Sequence, residues 1–239
     1  MAQYIYGRNT VLSALKSGRV VKLFLLSNFE YTPIIDFIHS NNVPFKKVEQ
    51  QYLDSLVKGL QQGVVAEIKP YEYLDLDGLI KKSMKKKNPL LVMLDEINDP
   101  HNLGAILRSC DAFGVDGVIM KKTGQVPLNA TVAKVSTGAI DYVPVTIVSN
   151  LNNAVDKLKK SGYWIVASDG KAKNDYREID YNVPIVLIVG SEGFGVSQLL
   201  CKNSDFLIKI PMVGTVNSFN ASVATAVLLA QIYNNRNPL

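Results

Sequence analysis

Apolar residues fall along this chain in short runs separated by polar segments with helical spacing. Asn9 to Leu15 carries Val11, Leu12 and Leu15 and reads as a helix. Val20 to Leu26 follows as a strand, Pro33 to Ser40 as a helix, Pro44 to Val48 as a strand, Tyr52 to Val57 as a short helix and Gly63 to Ile68 as a strand. Alternation on that scale predicts a small α/β unit over residues 1–70. Beyond Leu90 the apolar runs become continuous: LLVMLD (90–95), GVIM (117–120), VPVTIV (143–148), WIVAS (164–168), PIVLIV (184–189) and FLIKI (206–210). Such strands belong at the centre of a parallel sheet covered on both faces. Helical patterns lie between them at 102–113, 130–137, 151–161, 196–200 and 221–233. The expected architecture over 90–239 is an open α/β sheet of about six strands with helices on both faces. Ligands of such sheets bind beyond the carboxyl ends of the strands.

Between the two patterns, residues 71–89 change character. Acidic and apolar residues mix over Tyr71 to Leu79, five lysines crowd Lys81 to Lys87, and Asn88-Pro89 stops any helix. This stretch is expected to be a lysine-rich linker between two domains. Its lysines are either a solvated helix end or contacts to RNA phosphate.

Composition narrows the partners. Of 239 residues 47% are apolar, which suits globular folding and excludes wholesale disorder. No apolar run approaches a membrane span, and MAQYIYGRN lacks the pattern of a secretory signal. Cys110 and Cys201 form no CxxC pair and no ligand cluster with His39 and His101, so structural zinc is not expected and the thiols read as core residues in a reducing cytosol. A net charge of +5 permits nucleic acid as a partner without requiring it.

Three loops carry the candidate chemistry. After strand 90–95 comes EINDPHNLGAILRSC, in which Asp99-Pro100 makes a turn, Asn102 is placed to cap the next helix and Gly104 permits close packing. Arg108 is either a surface charge or a clamp for phosphate and developing negative charge. After strand 184–189 comes GSEGFG (190–195), whose glycines suit a nucleotide cradle. It matches neither the dinucleotide fingerprint nor the P-loop, so NAD binding and P-loop hydrolysis are poorly supported. Glu192 within it reads as a helix cap or as a polar site group. The third loop is IPMVGTVNSFN (210–220). There Ile210 ends a strand, Met212 reads as packing, and Asn217, Ser218 and Asn220 set polar groups beside the final helix N-terminus, where Asn220 and Ser222 could also serve as caps. Together these point to a nucleotide-type ligand on a parallel sheet, and to group transfer rather than hydrolysis.

These segments resemble the three motifs of the SpoU (TrmH) family of RNA 2′-O-ribose methyltransferases, as NLGAILR (102–108), GSEGFG (190–195) and IPMVGTVNSFNASVA (210–224). LNATVAKVSTGAIDYVPV (128–145) is similar to the family as well. YGRNTVLSAL near the start and QQGVVAEIKP (61–70) resemble the substrate-binding domain of the 23S rRNA guanosine branch, a small L30e-like α/β fold. The resemblance implies a SPOUT-type sheet with a C-terminal trefoil knot, which bottom-up topology rules would reject. It implies a homodimer and S-adenosyl-L-methionine held by backbone around Gly190, Ile210 and Phe219, with Met212 beside them and the Gly138 region nearby. Phe219 stands where the family often has leucine, so that pocket wall is bulkier. Arg108 matches the catalytic arginine, and Asn102, Glu192, Ser218 and Asn220 match polar active-site residues. The implied reaction is methyl transfer to a ribose 2′-OH of 23S rRNA, without metal. The alternatives are the same chemistry on tRNA and a non-catalytic ribosome-assembly factor.

Overall fold

The computed structural model describes residues 3–215 and 218–239. It separates into two compact units, Met1–Tyr71 with Leu128–Tyr142, and Glu72–Pro127 with Val143–Leu239.

The first unit holds β1 (Gln3–Tyr6), α1 (Arg8–Lys16), β2 (Val20–Leu26), α2 (Thr32–Asn41), β3 (Phe45–Val48), α3 (Gln50–Leu56) and β4 (Val64–Ile68). Its sheet runs β1-β4-β2-β3, antiparallel at β1/β4 and β4/β2 and parallel at β2/β3. Phe24, Val48, Leu53 and Val65 pack on one face. The segment after Leu128, expected within the second domain, clusters here instead. It supplies a short helix, Ala130–Val135, and a 3₁₀ turn, Ala139–Asp141. Polar contacts explain the placement. Ser13 Oγ donates to the Gly138 carbonyl at 2.9 Å, and Arg19 pairs with Asp141 at 2.9 Å while lying 3.9 Å from the Tyr71 ring centroid. Burial raises the Asp141 carboxyl pKa, and the Arg19 cation opposes that rise.

The second unit opens with α4 (Leu76–Ser83), inside the stretch expected to be a linker. Asp75 caps it by accepting from Gly78 N at 2.6 Å, and Lys81 and Lys82 sit in its last turn, where the helix dipole favours cations. Leu79 is fully buried against the sheet, so this segment is part of the core rather than a tether. Its sequence hides the helix because one apolar face is interleaved with acids and lysines. Lys86 pairs with Asp116 at 2.5 Å, and the other carboxylate oxygen of Asp116 accepts from Leu90 N.

The sheet strands are β5 (Leu90–Asp95), β6 (Gly117–Lys121), β7 (Val145–Val148), β8 (Trp164–Ser168), β9 (Asn174–Asp175), β10 (Ile185–Gly190) and β11 (Phe206–Lys209). They lie in the order β7-β6-β5-β10-β8-β11-β9, every pairing parallel. From β5 the chain winds outward through β6 to β7, then crosses to β8 on the far side of β10. The β5/β10 edge is therefore where the winding reverses, the place where open α/β sheets bind ligands. Register there sets Gly190 opposite Asp95, so both strands end together. The helices are α5 (Pro100–Ala112), α7 (Leu151–Lys160), α8 (Gln198–Asn203) and α9 (Ala221–Arg236); α6 is the Ala130–Val135 helix of the first unit. Helix α9 packs on α5. Its far end is held by Arg236, which donates to the carbonyls of Tyr181, Asn88 and Val183 at 2.8, 2.8 and 2.9 Å. That clamp secures the helix whose start carries Asn220. No helix among the described residues is long and apolar enough to cross a membrane.

Candidate active site

The loops after β5, β10 and β11 meet through three side chains. Asp99 caps α5, accepting from His101 N at 2.9 Å, with Pro100 at the first helical position. Asn102, expected as the cap, thus lies in the first turn with its amide free for other work. Its Nδ2 donates to Glu192 Oε1 at 2.9 Å, and its Oδ1 accepts from Asn220 Nδ2 at 2.9 Å. Asn220 Nδ2 also donates to Glu192 Oε1. Glu192 is therefore an acceptor for two amides, one from each neighbouring loop, rather than a helix cap.

Asn220 has two jobs, one for each end of its amide. Oδ1 accepts from Ser222 N at 2.9 Å and Val223 N at 3.3 Å, capping α9, and also from Ser222 Oγ at 2.6 Å. Because the oxygen faces backbone donors, the NH₂ must face Glu192. An aspartate could cap but could not donate.

The GSEGFG loop is folded back on itself. Gly195 N donates to Ser191 O at 2.8 Å, and the two residues form an isolated antiparallel bridge. Gly195 sits at φ 67°, in the left-handed region that favours glycine. Gly190 is buried beneath this fold: a Cβ there would lie 2.0 Å from the carbonyl carbon and oxygen of Gly195. One residue escaped the sequence reading. Asp95 is buried at the end of β5, and its Oδ2 accepts from Ser197 N at 2.8 Å, fastening the far side of the loop to the sheet. The signal was a lone acid ending an apolar strand.

Arg108 lies on α5, exposed, and its guanidinium makes no ion pair or hydrogen bond among the described residues. Ser218 and Phe219 are exposed just ahead of α9, and Asn217 lies outside the described residues. Ile210 is half-buried, while Met212, Val213, Phe219 and, in the neighbouring loop, Phe194 leave apolar surface open. Gly138 belongs to the first unit, at φ 97° with a Cβ position 2.3 Å from that of Ser13, which accounts for its being glycine. Among the described residues no group of three or more His, Cys, Asp or Glu could hold a metal ion.

Residues 89–230 match the model of the SpoU rRNA methylase family. The chain belongs to the SpoU family. Residues 4–74 match a second model, that of the RNA 2′-O-ribose methyltransferase substrate-binding domain. YacO of Bacillus subtilis (strain 168), assigned to the TrmH family of tRNA/rRNA methyltransferases, is 42% identical over 241 residues, covering 99% of this chain and 97% of its own. The SpoU methyltransferase AviRb of Streptomyces viridochromogenes, solved with AdoMet, shares the fold at TM-score 0.81 and 22% identity, over 99% of this chain and 91% of its own. The A. aeolicus TrmH/SpoU tRNA modifying enzyme is 32% identical at TM-score 0.57, over 67% of this chain and 82% of its own.

In this SpoU protein the two roles of Asn220 separate by substitution. Asn220→Ala removes the cap and is expected to cost about 1 kcal/mol in urea unfolding. Asn220→Asp retains the cap but sets a second carboxylate against Glu192, and two adjoining carboxylates cannot both ionise freely. Protonating one relieves the repulsion, and the native state then binds the extra proton. Asn220→Asp should therefore gain stability relative to wild type as the pH falls from neutral into the carboxylate range. Parallel pH profiles for variant and wild type would show that the Asn220–Glu192 contact carries no weight.

Proposed function

We propose that this SpoU protein transfers a methyl group from S-adenosyl-L-methionine to a ribose 2′-OH of RNA, at a guanosine of 23S rRNA. The observation that carries the reading is the meeting of Asn102, Glu192 and Asn220, one from each motif loop, at the β5/β10 reversal point. The loops suit the methyl donor: Gly190 lets the 190–195 backbone close on the strand end, while Ile210, Met212 and Phe219 line the neighbouring loop with backbone and apolar surface for an adenine. When bound, the donor supplies an electrophilic methyl on a sulfonium.

The protein must then make a poor nucleophile attack. A 2′-OH loses its proton as it reacts, and negative charge grows on its oxygen. Arg108, a permanent cation without a carboxylate partner among the described residues, stabilises that charge directly or through an adjoining phosphate. Asn102 and Asn220, locked to each other and to Glu192, hold the loops in register, and Ser218 offers a hydroxyl to the ribose. Positioning of the two reactants supplies much of the remaining acceleration. By the same reading the 190–195 and 210–220 loops form a C-terminal trefoil knot, and the protein works as a cytoplasmic homodimer with the site near its interface. The substrate-binding match over 4–74 supports RNA as the acceptor, and the rRNA methylase family match over 89–230 favours rRNA as the first reading. The 32% identity to a tRNA modifying enzyme favours tRNA as the second reading.

Mapping 2′-O-methyl sites in cellular rRNA and tRNA, with and without the protein, tests the choice. Loss of one large-subunit guanosine methyl is expected. A loss confined to tRNA would establish the second reading, and unchanged maps would overturn both.

A further inference from the structure

The end of the first unit's sheet where β1 finishes and β4 begins gathers cations and aromatic rings. The Arg8 guanidinium carbon lies 5.1 Å from the Tyr31 ring centroid and 5.9 Å from that of Phe29. Lys134 reaches in from the 128–142 segment, its Nζ 5.4 Å from the Tyr6 ring centroid and 3.5 Å from the Leu60 carbonyl. Neither cation is paired with a carboxylate among the described residues. Arg8 is exposed, and partial burial lowers the Lys134 pKa.

The backbone is shaped to bring these groups together. Gly7 has φ 90°, and a Cβ there would sit 2.2 Å from Lys134 Nζ, so the ammonium passes directly over it. Gln62 adopts φ 58°, rare for a non-glycine residue, and its Oε1 accepts from Arg8 N at 2.9 Å. A Cβ on Gly63 would lie 3.0 Å from the Phe29 ring. Three loops therefore hold two uncompensated cations against rings at the surface.

We propose that this face docks an unpaired stretch of RNA, its bases stacking beside Tyr31 and the Arg8 guanidinium and its phosphates against Arg8 and Lys134. The assignment deepens the methyltransferase reading above and rests on it for RNA being the partner. Cations alone would serve duplex and single strand alike. Rings are useful only where bases are unstacked, because the A-form duplex hides them. Lys134 also lies outside the 4–74 substrate-binding match, so the face is built from both family segments.

The test uses the full-length protein and a fluorescein-labelled single-stranded RNA of mixed sequence, about 12 nucleotides long, beside its blunt duplex. Fluorescence anisotropy reads affinity, and tritium transfer from labelled S-adenosylmethionine to rRNA reads activity. Wild type should prefer the single strand. Tyr31→Leu should weaken the single strand about tenfold and the duplex little, while Tyr31→Phe keeps the ring and wild-type affinity. Arg8→Gln and Lys134→Gln should weaken both RNAs and each lower the salt slope by about one. Preference for duplex, or wild-type single-strand affinity in Tyr31→Leu and Arg8→Gln, would overturn the proposal. A wild type that binds as expected yet transfers no methyl would instead count against the methyltransferase reading and leave the docking face standing.

Discussion

Arg108→Ala is expected to lower methyl transfer by about 10²–10³-fold, the cost of removing one preorganised group that stabilises developing charge. Affinity for S-adenosylmethionine should stay near wild type, because the role given to Arg108 is toward the ribose oxygen. Arg108 is exposed and unpaired among the described residues, so its loss orphans no carboxylate and the fold should be unaffected. Arg108→Lys should fall between, since lysine keeps the charge but loses the planar fork. Single-turnover transfer to rRNA and calorimetric titration of the donor separate the two effects. Transfer near the wild-type rate in Arg108→Ala would remove this residue from the chemistry, and loss of donor affinity instead of turnover would reassign it to binding.

The second large effect is expected of Gly190→Ala. The added methyl would meet the Gly195 carbonyl at 2.0 Å and Val196 N at 2.2 Å, both backbone atoms. They cannot simply retreat: Gly195 N is bonded to Ser191 O, and Ser197, which follows Val196, is fastened to the Asp95 carboxylate. The loop must open, carrying Glu192 away from Asn102 and Asn220. Destabilisation of about 1–3 kcal/mol, typical of overpacking, should accompany loss of donor binding. Gly193→Ala is the control, because a Cβ there meets nothing within 4 Å and the residue does not need a left-handed backbone. Unfolding midpoints and donor titrations of the pair check this. Equal behaviour of the two variants would mean that the closed loop is dispensable.

How much of this was legible depended on how local the cause was. Strands β2, β5 and β8 begin and end at the residues that the apolar runs mark, because their own side chains determine their burial. Strand β1 is only QYIY, and pairing with distant β4 makes it a strand. Helix α4 was obscured by lysines that its dipole accommodates and its surface solvates. The cap of α5 was readable after all: Pro100 favours the first helical position, which makes Asp99 the cap and leaves Asn102 free. All three site loops were found in sequence as polar or glycine-bearing breaks after apolar strands. What sequence could not show was that Asn102, Glu192 and Asn220 share hydrogen bonds, or that Ser13 and Arg19 draw the 128–142 segment into the first unit. Those contacts join residues up to 125 positions apart, where periodicity carries no information.

The central claim is that the methyl arrives on a ribose 2′-oxygen. The most direct measurement is incubation of the protein with rRNA and S-adenosylmethionine tritiated in its methyl group, followed by alkaline hydrolysis. Alkali cleaves RNA through attack by the 2′-oxygen, so a 2′-O-methyl protects the adjoining linkage and leaves a dinucleotide. The predicted result is tritium in alkali-resistant dinucleotides, its rate of appearance lowered about 10²–10³-fold in Arg108→Ala. Tritium confined to mononucleotides would mean methylation of a base, and no incorporation into rRNA or tRNA would mean no transfer to RNA; either would contradict the account.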